Sequence, residues 1–272
     1  MNVLDLFSGI GGFSLGLECA GMRTVAFCEC DPYCQAVLRK HWPDVPVFGD
    51  VRTLTAEALA DAAWNVRAEQ ETRGTERQRI GAGSQSIDLI CGGFPCQDIS
   101  LAGKGAGLDG ARSGLWKEFT RIIDEVRPRY VIVENVAALL GRGLSRVLGD
   151  LASLGYDAEW HCIPASAVGA PHRRDRLWIV ANCAASNGRM AASNNGRSPP
   201  IGLAEWIQEQ IGGESSHGHG YWRSSNQWLS EPDVGRVAHG VPSRVDRLRT
   251  LGNAVVPQIT EIIGRAIMSA SA

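Results

Sequence analysis

Asn2-Val-Leu-Asp-Leu-Phe-Ser-Gly-Ile-Gly-Gly-Phe13 decides the fold. Asn2–Phe7 is a short apolar run of strand length. Gly9, Gly11 and Gly12 follow at once, and helical periodicity then runs to about Ala20. A strand, a glycine-rich turn and a helix in that order open a doubly wound α/β unit, in which a ligand can approach the backbone in the crevice beyond the strand ends. The glycine spacing is not that of the dinucleotide fingerprint, so it favours a nucleotide-type ligand without naming one.

Outward from this unit the same alternation recurs. Arg23–Glu29 reads as a second strand with a helix from about Pro32 to His41, and Val45–Phe48 as a third with a helix over Thr53–Ala62. Ile87–Cys91 is a fourth strand, followed by a helix over Leu115–Val126 that Pro128 ends. Tyr130–Glu134 is a fifth, followed by a helix over Arg142–Leu154 that Gly155 ends. Strands alternating with helices predict a mostly parallel sheet covered on both faces. Asp157–Cys162 and Arg176–Ala181 lack a long helix between them and predict a hairpin-like pair at one edge of the sheet. The polar stretch from Trp64 to Ser86 reads as a surface insertion.

Past Ala181 the composition shifts to Ala, Ser, Asn and Gly, with one short helix over Ile201–Ile211. Helical character returns at Pro257–Met268. The expected organisation is therefore one α/β domain from 1–181 and 247–272, with a small irregular domain over 182–246 inserted between. With 272 residues, 44% of them hydrophobic, the chain holds one sizeable domain and an appendage rather than two full domains. No membrane-length apolar run and no leader pattern is seen, which points to a cytoplasmic protein. The cysteine spacings build no disulfide framework and no zinc site. Cys28, Cys30 and Cys34 read as reduced core thiols, and no metal is expected. The net charge of −2 does not advertise a nucleic-acid binder, but between His161 and Pro257 the chain carries arginine and no lysine. Arginine suits bidentate phosphate and guanine contacts, although nearby acidic residues offset much of this charge.

The strand ends carry the chemistry. Glu29 ends the second strand, where a carboxylate can accept from ribose hydroxyls, and Asp50 follows the third, where it can accept from an adenine amino group. With Gly9 and Gly11 they form the layout of an adenosyl site. After the fourth strand comes Gly92-Gly-Phe-Pro-Cys-Gln-Asp-Ile-Ser100, which presents Cys96 between Pro95 and Gln97. A thiolate is the reactive form of cysteine, and one at a strand end is placed to act as a nucleophile.

These motifs resemble the carbon-5 cytosine-specific DNA methyltransferase family of bacterial and phage type. Asp5–Gly12, Glu29, Gly49-Asp50, Pro95-Cys96-Gln97, Glu134-Asn135-Val136, Arg174 with Arg176, and Gly252-Asn-Ala-Val255 occur in order, and the likeness covers about residues 1–181 and 247–272. It implies a Rossmann-like, S-adenosylmethionine-dependent methyltransferase fold, with 182–246 as the target-recognition domain. It implies that Cys96 adds to carbon 6 of a flipped cytosine, making carbon 5 reactive enough to take the methyl group. By the same resemblance Glu134 hydrogen-bonds ring nitrogen 3 and the amino group, which calls for a raised pKa. Arg176 holds the cytosine carbonyl oxygen, and Arg174 is a supporting or phosphate-facing arginine. Asn135 orients the segment. Phe7 packs near the adenine, and Asn253 and Ala254 lie near the methionine part.

The glycine-rich segment Ile99–Trp116 reads as a lid over DNA, with Lys104 and Arg112 meeting phosphates and Ser100 approaching the space left by the extruded base. Arg189, Arg197, Arg223 and Arg236 are candidate base or phosphate contacts within the recognition domain, and Trp222 and Trp228 candidate packing residues there. His217 and His219 read as part of a glycine-flanked loop rather than a metal site. His172 stands where the family usually has glutamine. The implied substrate is double-stranded DNA, with a cognate restriction endonuclease as a candidate partner and a monomer as the expected state. A tRNA-methylating relative and a catalytically inactive DNA-binding relative are the alternatives. Against the first, the expected Cys-Phe-Thr is missing; against the second stand Cys96, Glu134, Arg174 and Arg176.

Overall fold

A computed structural model of the chain describes residues 1–62, 86–95, 114–183 and 244–271. Its centre is β1 (Asn2–Leu6), in which Val3, Leu4 and Leu6 are wholly excluded from solvent. A strand buried on both faces belongs in the middle of a parallel sheet. β1 pairs in parallel with β2 (Arg23–Cys28) and β4 (Leu89–Gly92). β2 pairs with β3 (Val47–Phe48), and β4 with β5 (Tyr130–Val136).

β7 (Asp175–Cys183) runs antiparallel to both β5 and β6 (Tyr156–Pro164), giving the sheet order β3-β2-β1-β4-β5-β7-β6. The hairpin-like pair predicted at one edge is present, with the later strand on the inner side. A single 3-10 turn over Ala165–Val168 lies between the two strands and leaves no room for a crossover helix.

Side-chain alternation divides the core between the two faces. Leu4, Leu6, Ile90, Val131, Val133 and Ile179 face one cluster, which α3 (Leu115–Val126) and α5 (Leu144–Ser153) cover through Phe119, Ile122, Ile123, Val147 and Leu151. Val3, Leu89, Cys91, Ile132, Trp178 and Val180 face the other, covered by α1 (Gly12–Cys19) and α7 (Pro257–Ala270). α2 (Pro32–His41) starts on Asp31, whose carboxylate accepts from the backbone N–H groups of Tyr33 at 2.8 Å and Cys34 at 3.2 Å. Pro32 at the first position and a basic last turn complete the usual signals at each end.

Several boundaries differ from the sequence reading. The helix expected over 53–62 begins at residue 56, because the Thr55 hydroxyl accepts from the N–H of Ala58 and caps it. The helix expected over 142–154 is two, α4 (Leu139–Arg142) and α5, separated at the extended Gly143. β5 continues to Val136, so Glu134 lies within the strand rather than at its last residue. An unexpected α6 (Arg244–Asn253) runs across the boundary placed between 246 and 247. Among the cysteines read as core thiols, Cys28 and Cys34 are buried but Cys30 is exposed.

α1 and α7 join the two ends of the described chain at very close range. A Cβ on Gly16 would stand 1.9 Å from Thr260 Oγ1 and 2.1 Å from the carbonyl oxygen of Pro257. Gly16→Ala would gain about 1 kcal/mol of helix propensity at a neutral site. Here the overlap with α7 reverses the sign, and a net loss of about 1–3 kcal/mol is expected in urea unfolding. A stability equal to or above that of the parent would contradict this packing.

Candidate active site

The crevice lies where the strand order reverses, at the carboxyl ends of β1 and β4. On the β1–β2 side the chain turns through Phe7 (φ 53°), Gly9 (φ 54°) and Gly11 (φ 86°). Left-handed backbone of this kind is strained for Phe7 but open to glycine. No atom lies within 4 Å of where a Gly9 Cβ would sit, so the turn presents open space there. Its N–H instead donates to Glu29 Oε2 at 2.8 Å, while the N–H of Asp31 donates to Glu29 Oε1 at 2.7 Å. Glu29 thus ties the glycine turn to the start of α2 and leaves further lone pairs for a ligand's hydroxyls.

Phe7 stacks on Phe119, ring centroids 6.2 Å apart. Asp50 lies two residues past β3 and is forked by Arg52, Nε to Oδ1 at 3.0 Å and Nη2 to Oδ2 at 2.7 Å. That pairing holds the Asp50 carboxyl below the usual carboxylate range. Phe7, Gly9, Gly11 and Glu29 are therefore brought together, and Asp50 stands at the next strand with its carboxylate engaged by a neighbour. Asn253 is exposed at the end of α6, and Ala254 is half-buried just beyond it.

On the β4–β5 side, Glu134 and Arg176 meet across adjacent antiparallel strands. Arg176 Nε lies 2.9 Å from Glu134 Oε1, the two side chains 24% and 13% exposed. Loss of water raises the Glu134 pKa, against the opposing pull of Arg176 and Arg174, which is the direction the sequence reading calls for. Gly93 makes room for this carboxyl: a Cβ there would stand 2.8 Å from Glu134 Oε2. The buried amide of Asn135 donates from Nδ2 to the carbonyl oxygen of Phe94 at 3.1 Å and accepts from the N–H of Val136 at 2.9 Å. It therefore fixes the backbone two residues ahead of position 96. Arg174 donates to the carbonyl oxygens of Gly252 and Ala254. His172 has a buried Nδ1 without a partner.

Cys96, Ser100, Lys104, Arg112, Arg189, Arg197, Arg223 and Arg236 lie outside the described residues, as do the insertion up to residue 85, the helix expected over 201–211, Trp222, Trp228, His217 and His219. Among the described residues no group of three His, Cys, Asp or Glu side chains could hold a metal ion.

Two supports of the site were not singled out from the sequence. The Trp42 ring lies under the glycine turn, its nearest atom 2.6 Å from where a Gly11 Cβ would sit. Its Nε1–H donates to the Glu18 carboxylate at 2.9 and 3.0 Å. Asp5 is wholly buried, and its Oδ2 accepts from Ser14 Oγ at 2.8 Å, joining β1 to α1 directly beneath the turn. A carboxyl between Leu4 and Leu6 in the apolar part of β1 was the available signal for the second.

The reversed β7 in a sheet of this order, with a carboxylate–arginine pair beside a glycine turn, defines a Rossmann-like fold of the methyltransferase kind. The chain belongs to the C-5 cytosine-specific DNA methylase family, whose model matches residues 1–230. It is 35% identical to the type II methyltransferase M2.BsuMI of Bacillus subtilis, over 67% of this chain and 42% of that protein. It is 32% identical to the type II methyltransferase M.AquIA of Picosynechococcus, over 66% of this chain and 71% of that one. Among solved structures, an Escherichia coli prophage protein described as a candidate DNA modification methyltransferase superposes with a TM-score of 0.50 at 28% identity, covering 67% of this chain and 47% of that one. The chain thus spans less than half the length of two of these three relatives.

Burial drives the Asp5 carboxyl up to about 7, with Ser14 opposing and Glu29 assisting. The folded protein therefore holds a proton that the unfolded chain releases at about pH 4, and stability falls as pH rises from about 4 to 7 and then levels. Asp5→Asn has no such titration. Its stability relative to the parent should climb across that window by on the order of a few kcal/mol, read from urea midpoints. Parallel profiles for the two proteins would contradict a neutral buried Asp5.

Proposed function

We propose that this protein transfers a methyl group from S-adenosylmethionine to carbon 5 of a cytosine in double-stranded DNA, with Cys96 as the covalent nucleophile. The observation that carries the reading is the buried Glu134 carboxyl, paired with Arg176 and joined through Asn135 to the backbone that leads into Pro95-Cys96.

The cofactor side fits an adenosyl ligand. The turn at Gly9 is open, Glu29 keeps free lone pairs beside it, and Phe7 offers an aromatic surface at the end of β1. Gly9, Gly11, Glu29, Phe7, Asp50, Asn253 and Ala254 are the residues that would hold it. S-adenosylmethionine, when bound, supplies an electrophilic methyl group on a sulfonium centre.

The chain's own residues do the remainder. The Cys96 thiolate adds to carbon 6, which turns carbon 5 into an enamine-like nucleophile. Glu134, its pKa raised by burial, holds the proton at ring nitrogen 3 as negative charge develops there. Arg176 keeps Glu134 in place and turns its remaining N–H groups toward the base carbonyl. Carbon 5 takes the methyl group as the methyl's bond to sulfur breaks and S-adenosylhomocysteine leaves. Loss of the carbon-5 proton to solvent and elimination of the Cys96 thiolate then restore the aromatic ring.

The base must leave the duplex to reach this site, at a cost of a few kcal/mol in stacking and pairing. Ser100, Lys104 and Arg112 close over the DNA, and residues 182–246, through Arg189, Arg197, Arg223 and Arg236, read its sequence. Two relatives are type II methyltransferases by name, which supports a modification enzyme with a cognate restriction endonuclease as partner. Action on DNA as a cytoplasmic monomer is part of this proposal; among the described residues no helix is long and apolar enough to cross a membrane.

The test is transfer of labelled methyl from S-adenosylmethionine to duplex DNA and, in parallel, to tRNA, followed by mapping of 5-methylcytosine. Label is expected in DNA at one short recurring site. Cys96→Ala should lower turnover at least about a thousandfold while still binding S-adenosylhomocysteine. Label confined to tRNA, or undiminished turnover by Cys96→Ala, would overturn the proposal.

A further inference from the structure

Arg174 sits at the junction of the two halves of the crevice. It precedes β7 in a left-handed backbone conformation (φ 39°), which a non-glycine residue adopts only when its surroundings impose it. Part of that constraint is visible in the backbone: the N–H of Ala165 is shared between the carbonyl oxygens of Arg173 at 2.7 Å and Arg174 at 3.4 Å. From this position the guanidinium spreads over the end of α6 and the start of the segment that leads to α7. Nη1 donates to the carbonyl oxygen of Gly252 at 2.6 Å and Nη2 to that of Ala254 at 2.9 Å, bonds that span 78 and 80 residues of sequence.

The segment so held backs directly onto the glycine turn. The carbonyl oxygen of Val255 lies 2.7 Å, and the Val255 Cβ 3.2 Å, from where a Gly12 Cβ would stand. α1 begins at Gly12, immediately after the turn through Gly9 and Gly11. Two residues along from Arg174, Arg176 holds Glu134. Neighbouring arginines thus face opposite tasks: Arg176 grips the carboxylate on the base side, and Arg174 grips the wall behind the cofactor turn.

We infer that Arg174 is a positioning residue for the cofactor: by clamping Gly252 and Ala254 it fixes the wall against Gly12, and so sets affinity for the adenosyl ligand rather than holding the base or a DNA phosphate. This inference rests on the S-adenosylmethionine reading given above and deepens it. Two charge-assisted hydrogen bonds to backbone carbonyls, made by one planar group, explain why an arginine stands here. A lysine ammonium is a single point donor and would hold the two carbonyls less well.

The experiment compares the full-length wild-type protein with Arg174→Ala, Arg174→Lys and Arg176→Ala. Titration with S-adenosylhomocysteine in the absence of DNA reads affinity, and methyl transfer at varied S-adenosylmethionine separates KM from kcat. Arg174→Ala is expected to weaken S-adenosylhomocysteine binding at least about tenfold and to raise the cofactor KM by a larger factor than it lowers kcat. Arg174→Lys should recover part of the affinity, which also covers the case in which the alanine variant fails to fold. Arg176→Ala should show the opposite split, with its loss mainly in kcat. Equal S-adenosylhomocysteine affinity in wild type and both Arg174 variants, or a loss in Arg174→Ala confined to kcat, would overturn the clamp. Failure of the wild-type protein itself to bind S-adenosylhomocysteine would instead overturn the cofactor reading beneath it.

Discussion

The Glu134 carboxyl is held largely out of water near the end of β5, and that single placement constrains everything around it. A buried carboxylate needs a partner of opposite charge. Arg176 provides it from β7, which is possible only because β7 runs antiparallel beside β5 and brings Val136 opposite Arg176 in the register. The carboxyl comes so near the end of β4 that a Cβ at Gly93 would stand 2.8 Å from its Oε2 and displace it. Asn135, the next residue of the strand, points its amide the other way and fixes the carbonyl of Phe94. One strand therefore positions both the carboxyl that pairs with Arg176 and the backbone ahead of the proposed nucleophile.

The glycine turn after β1 is fixed by several independent contacts. Glu29 holds the Gly9 N–H, Trp42 lies beneath Gly11, and Val255 lies against Gly12. Asp5 and Ser14 lock the strand before the turn to the helix after it. None of these groups fills the space at Gly9. Such a turn is set before a ligand arrives, which lowers the ordering cost of binding. The reversed strand joins this half of the site to the other, because Arg174 and Arg176 leave the same short stretch toward different partners.

The sequence made the central sheet legible because its strands are short, mostly apolar runs separated by helical periodicity, as in β4 and β5, with Asp5 the one charged interruption of β1. Glu29, Asp50, Glu134 and Arg176 stood out one by one because they fall in order at or near the ends of apolar, strand-length runs. The pairing of Glu134 with Arg176 did not, because it depends on β7 reversing beside β5. What stayed hidden depends on contacts distant in sequence. Nothing in the Arg174 neighbourhood announces a bond to Ala254, and nothing in α2 places Trp42 under Gly11. α6 escaped notice because its composition is dominated by Arg and polar residues with few apolar positions to mark a face. The single helix expected over 142–154 overlooked Gly143, whose extended backbone ends one helix and starts the next.

The measurement that tests the covalent mechanism most directly uses duplex DNA carrying 5-fluorocytosine at the modified site. Fluorine at carbon 5 cannot leave as a proton, so the final elimination is blocked after methyl transfer. Incubation with S-adenosylmethionine, followed by digestion and mass spectrometry, should find DNA attached to the peptide containing Cys96 in a complex that survives denaturation. Attachment at another residue, or full turnover of cytosine DNA with no trapped complex from the fluorinated strand, would contradict the mechanism.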